Sequence, residues 1–112
     1  MSENPEFETA INEVIERFSN PEITKSLANF TRTLKLEFPD IKTLYVLNIE
    51  NGQLKEVKKE SVEKADISVS MNSDTFIGVI NKTISPVKAY MTGKIKVKGS
   101  MSDLLKLRKV LF

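Results

Sequence analysis

Any catalysis by this chain would have to use Asp, Glu, Lys, Tyr or Arg, because its 112 residues include no histidine and no cysteine. That absence excludes Ser-His-Asp and Cys-His nucleophilic catalysis, redox thiols, disulfide frameworks and zinc sites built on Cys or His. The close carboxylate pairs are Glu13/Glu16 and Glu56/Glu60. Their positions are surface positions of a helix and a strand, where solvation is the ordinary role. Asp66 falls on the polar face of a strand, and Asp74 falls in a first helical turn, where a carboxylate suits the macrodipole. No two carboxylates are spaced for acid–base work, so an enzyme is not expected. A phosphate-cradling loop fails as well. Gly93-Lys94 is preceded by Lys88 where a glycine is required and followed by Ile95, and the four glycines form no GxGxxG. The pattern requires no cofactor and no metal.

Binding chemistry is better represented. Residues 1–22 are acidic, with Arg17 as the lone cation, whereas residues 82–112 carry eight Lys and Arg residues against Asp103 alone. A basic face of this kind suits an anionic lipid surface, nucleic acid or an acidic ligand; the plain alternative is a solvated surface whose two ends neutralise each other. The Lys94/Lys96/Lys98 stripe, with Lys106 and Lys109 nearby, has no interleaved aromatic platform, and Tyr45 and Tyr90 lie outside it. Arginine, the usual base reader, occurs only at positions 17, 32 and 108. Nucleic acid is therefore not expected, and the stripe reads as protection of an edge strand. On a helical wheel of the last segment, Met101, Leu104, Leu105, Leu107, Leu111 and Phe112 share one broad arc, and Arg108 falls in its middle. Either its stem packs while its head reaches water, or its guanidinium sits at the mouth of an apolar cavity, facing a carboxylate or phosphate.

The elements that position these residues follow from periodicity and turn chemistry. Asn4-Pro5 opens a helix carrying Phe7, Ala10, Ile11, Val14, Ile15 and Phe18. Asn20-Pro21 restarts a second helix with Ile23, Leu27 and Phe30. The period then changes to two. Leu34, Leu36 and Phe38 mark one strand, and the run from Leu44 to Ile49 a second, expected to be covered on both faces. Asn51-Gly52 is a hairpin turn, followed by an edge strand from Gln53 to Lys59. Asp66 to Met71 alternates again. Ser73 caps a helix bearing Phe76, Ile77, Val79 and Ile80, Ser85-Pro86 opens another through Met91, and Gly93 ends it. Lys94 to Lys98 is the last strand, and Ser100 with Asp103 fits a capping box for the final helix. The result is an α+β fold with about five strands and helices at both ends, expected to form one domain over 1–112.

With 40% hydrophobic and 29% charged residues and a net charge of +2, the composition is that of a soluble globular protein. No apolar run is long enough to span a membrane. The acidic start is unlike a secretory signal, and the terminal Lys109-Val110-Leu111-Phe112 matches no peroxisomal or reticulum signal, so a cytoplasmic location is expected.

The series Ala65-Asp66-Ile67-Ser68-Val69-Ser70-Met71, then Phe76, then Ser85-Pro86-Val87-Lys88-Ala89-Tyr90-Met91-Thr92-Gly93-Lys94-Ile95-Lys96-Val97-Lys98-Gly99-Ser100-Met101 resembles the sterol-carrier-protein lipid-transfer family. The likeness runs in order and spacing over about residues 65–111. It implies a five-stranded sheet covered by about five helices around an apolar tunnel that takes a fatty acid, fatty acyl-CoA, phospholipid or sterol without covalent chemistry. By position, Phe76, Ile80, Met91, Ile95, Met101, Leu104, Leu105 and Phe112 are the candidates to line that tunnel, with Thr92 and Arg108 as polar contacts. Thr92 stands where the family often has glutamine, and Asp103 stands in a stretch that is usually apolar. Lys94, Lys96, Lys98, Lys106 and Lys109 are the candidates for transient contact with an anionic membrane. The competing expectation is an interaction or regulatory module of the same fold with a filled core and no lipid.

Overall fold

The computed structural model describes residues 4–59 and 64–111. Local capping chemistry sets the first two helices. In α1 (Pro5–Arg17) the Asn4 Oδ1 accepts the N–H groups of Glu6 and Phe7 at 3.0 and 3.3 Å. Asn20 does the same for α2 (Pro21–Ser26), accepting the Glu22 N–H at 3.0 Å. This second helix is shorter than its apolar spacing predicts. It stops at Ser26, and Asn29 adopts the left-handed conformation (φ 67°), so Phe30 lies on the chain leading into the sheet.

The strands are β1 (Arg32–Phe38), β2 (Thr43–Glu50), β3 (Gln53–Lys59), β4 (Ile67–Met71) and β5 (Ile95–Lys98), in the spatial order β3-β2-β1-β4-β5. β1 and β4 are parallel, and the other neighbours are antiparallel. Register carries the alternation straight across the sheet. Leu34 lies beside Leu47 and Ile67, and Leu36 beside Tyr45 and Val69, all buried on the helix side. The opposite side bears Lys35, Ser68, Ser70, Lys96 and Lys98. β2 differs from expectation here: helices cover only its Tyr45, Leu47 and Ile49 side. Val46 is buried on the other side because its cross-strand partners are Lys35 and Lys58, whose aliphatic stems flank it. In the β2–β3 turn Asn51 and Gly52 both take positive φ (50° and 79°). A Cβ on Gly52 would lie 2.7 Å from the Leu27 carbonyl oxygen, so the hairpin tip docks against the end of α2 through a contact that only glycine permits.

Three helices follow β4: α3 (Ser73–Ile80), α4 (Pro86–Met91) and α5 (Met101–Leu111). Ser73 is the first helical residue of α3 and not its cap. The Asp40 carboxylate caps this end from a distance, accepting the Ser73 N–H at 2.9 Å and the Ser73 hydroxyl at 2.6 Å. The α5 capping box gives way to another pairing: Ser100 Oγ meets Ser102 Oγ at 2.9 Å, and Asp103 turns to Arg32. α1 packs on α3 and α5, α2 on α5, and α4 against β5. Phe7, Phe38 and Phe76 fill the centre. Their ring centroids are 4.8 Å (Phe7–Phe38) and 5.0 Å (Phe38–Phe76) apart.

A candidate lipid-binding groove between α4, α5 and the edge strand

At the β5 edge the helices do not close over the sheet. α4 is only six residues long and turns back at Gly93, which has φ 80° and donates to the Tyr90 carbonyl at 3.2 Å, while Lys94 donates to Ala89 at 2.8 Å. That sharp stop leaves a groove between α4 and α5, with a volume of about 470 Å³, within the usual range for small-molecule sites. Val69 of β4 and Ile95 and Val97 of β5 form its floor. Pro86, Val87 and Tyr90 of α4 form one wall, and Met101, Leu104, Leu105, Arg108 and Leu111 of α5 form the other.

α5 presents two apolar stripes. Leu107, Val110 and Leu111 are buried in the core, whereas Met101 and Leu105, one turn apart, are mostly exposed on the groove wall, with Arg108 next along the same stripe. Two polar tethers hold the helix in this orientation. Arg32 Nε donates to Asp103 Oδ2 at 2.9 Å, and Arg17 Nη1 donates to the Val110 carbonyl at 2.7 Å. Among the described residues Arg108 makes no ion pair, and no buried side-chain polar atom lacks a partner. The groove is thus an apolar slot with one cation on its wall.

Of the residues picked from sequence, Ile95, Met101, Leu104, Leu105 and Arg108 come together in this groove. Phe76 and Ile80 do not line it. α3 is apolar nearly all round, so both are buried in the central core, Phe76 wedged against Phe7 and Phe38. Met91 projects into solvent beyond the groove. Thr92 is exposed, and its hydroxyl donates to the Lys88 carbonyl at 2.9 Å, back along its own helix. Phe112 and the Lys109 side chain lie outside the described residues. Val69, Pro86, Val87, Tyr90, Val97 and Leu111 line the groove without having been picked. Val97 carried the same signal as Ile95, two residues away on the same strand face. The lysines divide: Lys96 and Lys98 extend from the other face of β5, and Lys106 lies 5.9 Å from the Phe30 ring.

Comparison with known proteins now places this architecture. Residues 11–112 match the model of the SCP-2 sterol transfer family. Hydroxysteroid dehydrogenase-like protein 2 of Xenopus tropicalis is 39% identical over 67 residues, 60% of this chain but only 16% of that relative. The inverting sec-alkylsulfatase Pisa1 from Pseudomonas sp. superposes with a TM-score of 0.66 at 25% identity, over 79% of this chain and 14% of the sulfatase. Sterol carrier protein domain 2 of Helicoverpa armigera superposes with a TM-score of 0.73 at 22% identity, over 99% of this chain and 91% of that domain. With the five-stranded mixed sheet, the five helices and the family pattern in agreement, the chain belongs to the SCP-2 sterol transfer family.

Proposed function

We propose that the protein carries a lipid non-covalently, holding its alkyl portion in the groove between α4, α5 and β5, with Arg108 against a polar head. The observation that carries this reading is the apolar slot of about 470 Å³ whose lining holds a single charged side chain. Burying an alkyl chain is favourable by about 0.8 kcal/mol per methylene, so a long chain supplies the affinity without any reactive group. Five candidates for this site are Ile95, Met101, Leu104, Leu105 and Arg108; an occupant that draws α4 and α5 over itself would convert the groove into a tunnel. The family supports lipid carriage in general terms. Two longer relatives, named for a hydroxysteroid and a secondary alkyl sulfate, include this region as a minor part of their length. That arrangement fits a module that presents an apolar molecule and leaves covalent steps to other machinery.

The test is titration of a fluorescent long-chain fatty acid into delipidated protein, followed by displacement with unlabelled acyl lipids. Saturable 1:1 binding at micromolar affinity, abolished by Leu105→Trp in a protein that still folds, is the expected result. Absence of a saturable signal up to roughly 100 μM, equivalent to less than about 5.5 kcal/mol, would overturn the reading in favour of an interaction module without lipid.

A further inference from the structure

Among the described residues, the large hydrophobic side chains left most exposed are Val87 (65%), Tyr90 (54%), Met91 (77%), Met101 (66%) and Leu105 (63%). All five lie on α4 and α5, around the open side of the groove. Three sit on the six residues of α4, a density of unburied apolar surface that solvation alone does not explain. The charge around them is one-sided. From Thr75 to Ser102 the sequence contains no acidic residue, yet it carries Lys82, Lys88, Lys94, Lys96 and Lys98. Lys88 lies on α4 itself and Lys94 immediately beyond its Gly93 stop, both exposed. The nearest acid on the α5 side, Asp103, is occupied by Arg32.

From this arrangement we infer that α4 is a docking helix for an anionic lipid bilayer. Val87, Tyr90 and Met91 enter the interfacial layer, and Lys88 meets the headgroups. An apolar centre with a cationic rim and no acid matches an anionic interface, where a tyrosine ring also sits favourably. The geometry favours a bilayer over a protein partner because the same apolar residues border the groove, so a docked helix opens the groove directly onto the lipid phase. This inference rests on the carriage reading for its purpose, but its physical test is separate. It also selects among the basic residues. Lys88 on α4 belongs to the docking surface, whereas Lys94 and Lys96 together line a separate pocket with Ser70, and Lys98 shares the Lys96 face of β5.

The experiment is co-sedimentation of the delipidated chain with vesicles of phosphatidylcholine, with and without a third of phosphatidylserine, alongside the fatty-acid titration. The chain is expected to partition onto the anionic vesicles and to be released by salt. The Lys88→Gln variant loses roughly fivefold in partitioning. Met91→Glu loses about tenfold or more, since it places a carboxylate at an anionic interface. Both retain fatty-acid binding in solution, because neither alters a groove-lining side chain. Lys96→Gln/Lys98→Gln changes partitioning less than about twofold, being on the far face. Equal binding to neutral and anionic vesicles would overturn the proposal, as would equal losses in Lys88→Gln and Lys96→Gln/Lys98→Gln. So would self-association that Met91→Glu abolishes in the absence of vesicle binding, which assigns the patch to a second copy of the chain. Fatty-acid binding without vesicle binding removes the docking proposal alone; vesicle binding without fatty-acid binding removes the carriage reading alone.

Discussion

Leu105 and Leu107 are two residues apart on α5 and chemically identical, yet the fold gives them opposite roles. Leu107 is 0% exposed and packs in the core; Leu105 is 63% exposed on the groove wall. Leu107→Ala therefore leaves a cavity in the core and is expected to destabilise the fold by about 2–5 kcal/mol. Leu105→Ala removes a side chain that already contacts water over most of its surface, so its effect on stability is expected within about 0.5 kcal/mol of zero. Ligand affinity should show the reverse order. An alkyl chain in the groove covers much of the Leu105 surface now in water, worth about 1–2 kcal/mol on the scale of full leucine burial. The truncation thus weakens binding roughly five- to thirtyfold. Urea denaturation followed by circular dichroism gives the first quantity, with an unchanged m value confirming a stability effect, and fluorescent fatty-acid titration gives the second. Equal destabilisation by the two variants would refute the assignment of α5 faces. An unchanged affinity in Leu105→Ala would refute the groove as the alkyl site.

Other consequences are as direct. Gly52→Ala forces a Cβ to within 2.7 Å of the Leu27 carbonyl at a positive φ, and should cost about 2 kcal/mol or more in chemical denaturation. Gly93→Ala, also at positive φ but with nothing within 4 Å, should cost only about 1–2 kcal/mol. Asp40→Ala removes both acceptors from Ser73 and frays the start of α3, lowering the thermal midpoint by roughly 4 °C, about 1 kcal/mol. A double-mutant cycle on Arg32 and Asp103 should return a coupling of about 1 kcal/mol, since one partner is half exposed; a coupling indistinguishable from zero would show that this pair does not hold α5.

Features that a few neighbouring residues decide were legible in the sequence. Asn4, Asn20 and Ser85 cap their helices as read, and Asn51-Gly52 makes the hairpin, because each acts on backbone groups within three positions. The strand order was not. Placing β4 beside β1 is a long-range choice that alternation alone leaves open, since any strand with one apolar face satisfies the same pattern. Distant polar partners were hidden for the same reason. Asp40 caps a helix that begins 33 residues later. Asp66 accepts the Thr33 N–H at 2.9 Å, at the point where the parallel pairing of β1 and β4 begins. Asp103 abandons its local box for Arg32, 71 residues away, where a charged partner is worth more than a neutral backbone donor.

The groove itself shows why half of the candidate site could be found and half could not. Hydrophobicity marks a residue as avoiding water; it does not say whether protein or ligand will cover it. The apolar arc of α5 is wider than the core requires, and that excess width was visible on the wheel. Its division into a core stripe through Leu107 and Val110 and a groove stripe through Met101 and Leu105 was not. That division is set by where Arg17 and Arg32 hold the helix, through the Val110 carbonyl and the Asp103 carboxylate. Because both tethers act on the side of α5 turned toward the body of the fold, they fix its rotation from that side. Phe76 illustrates the converse. It is as apolar as any groove residue, but Phe7 and Phe38 already cover it, so no surface remains for a ligand. What distinguishes an open groove from a core in this fold is therefore the placement of charged tethers around an apolar helix, and the short α4 that declines to fill the space they leave.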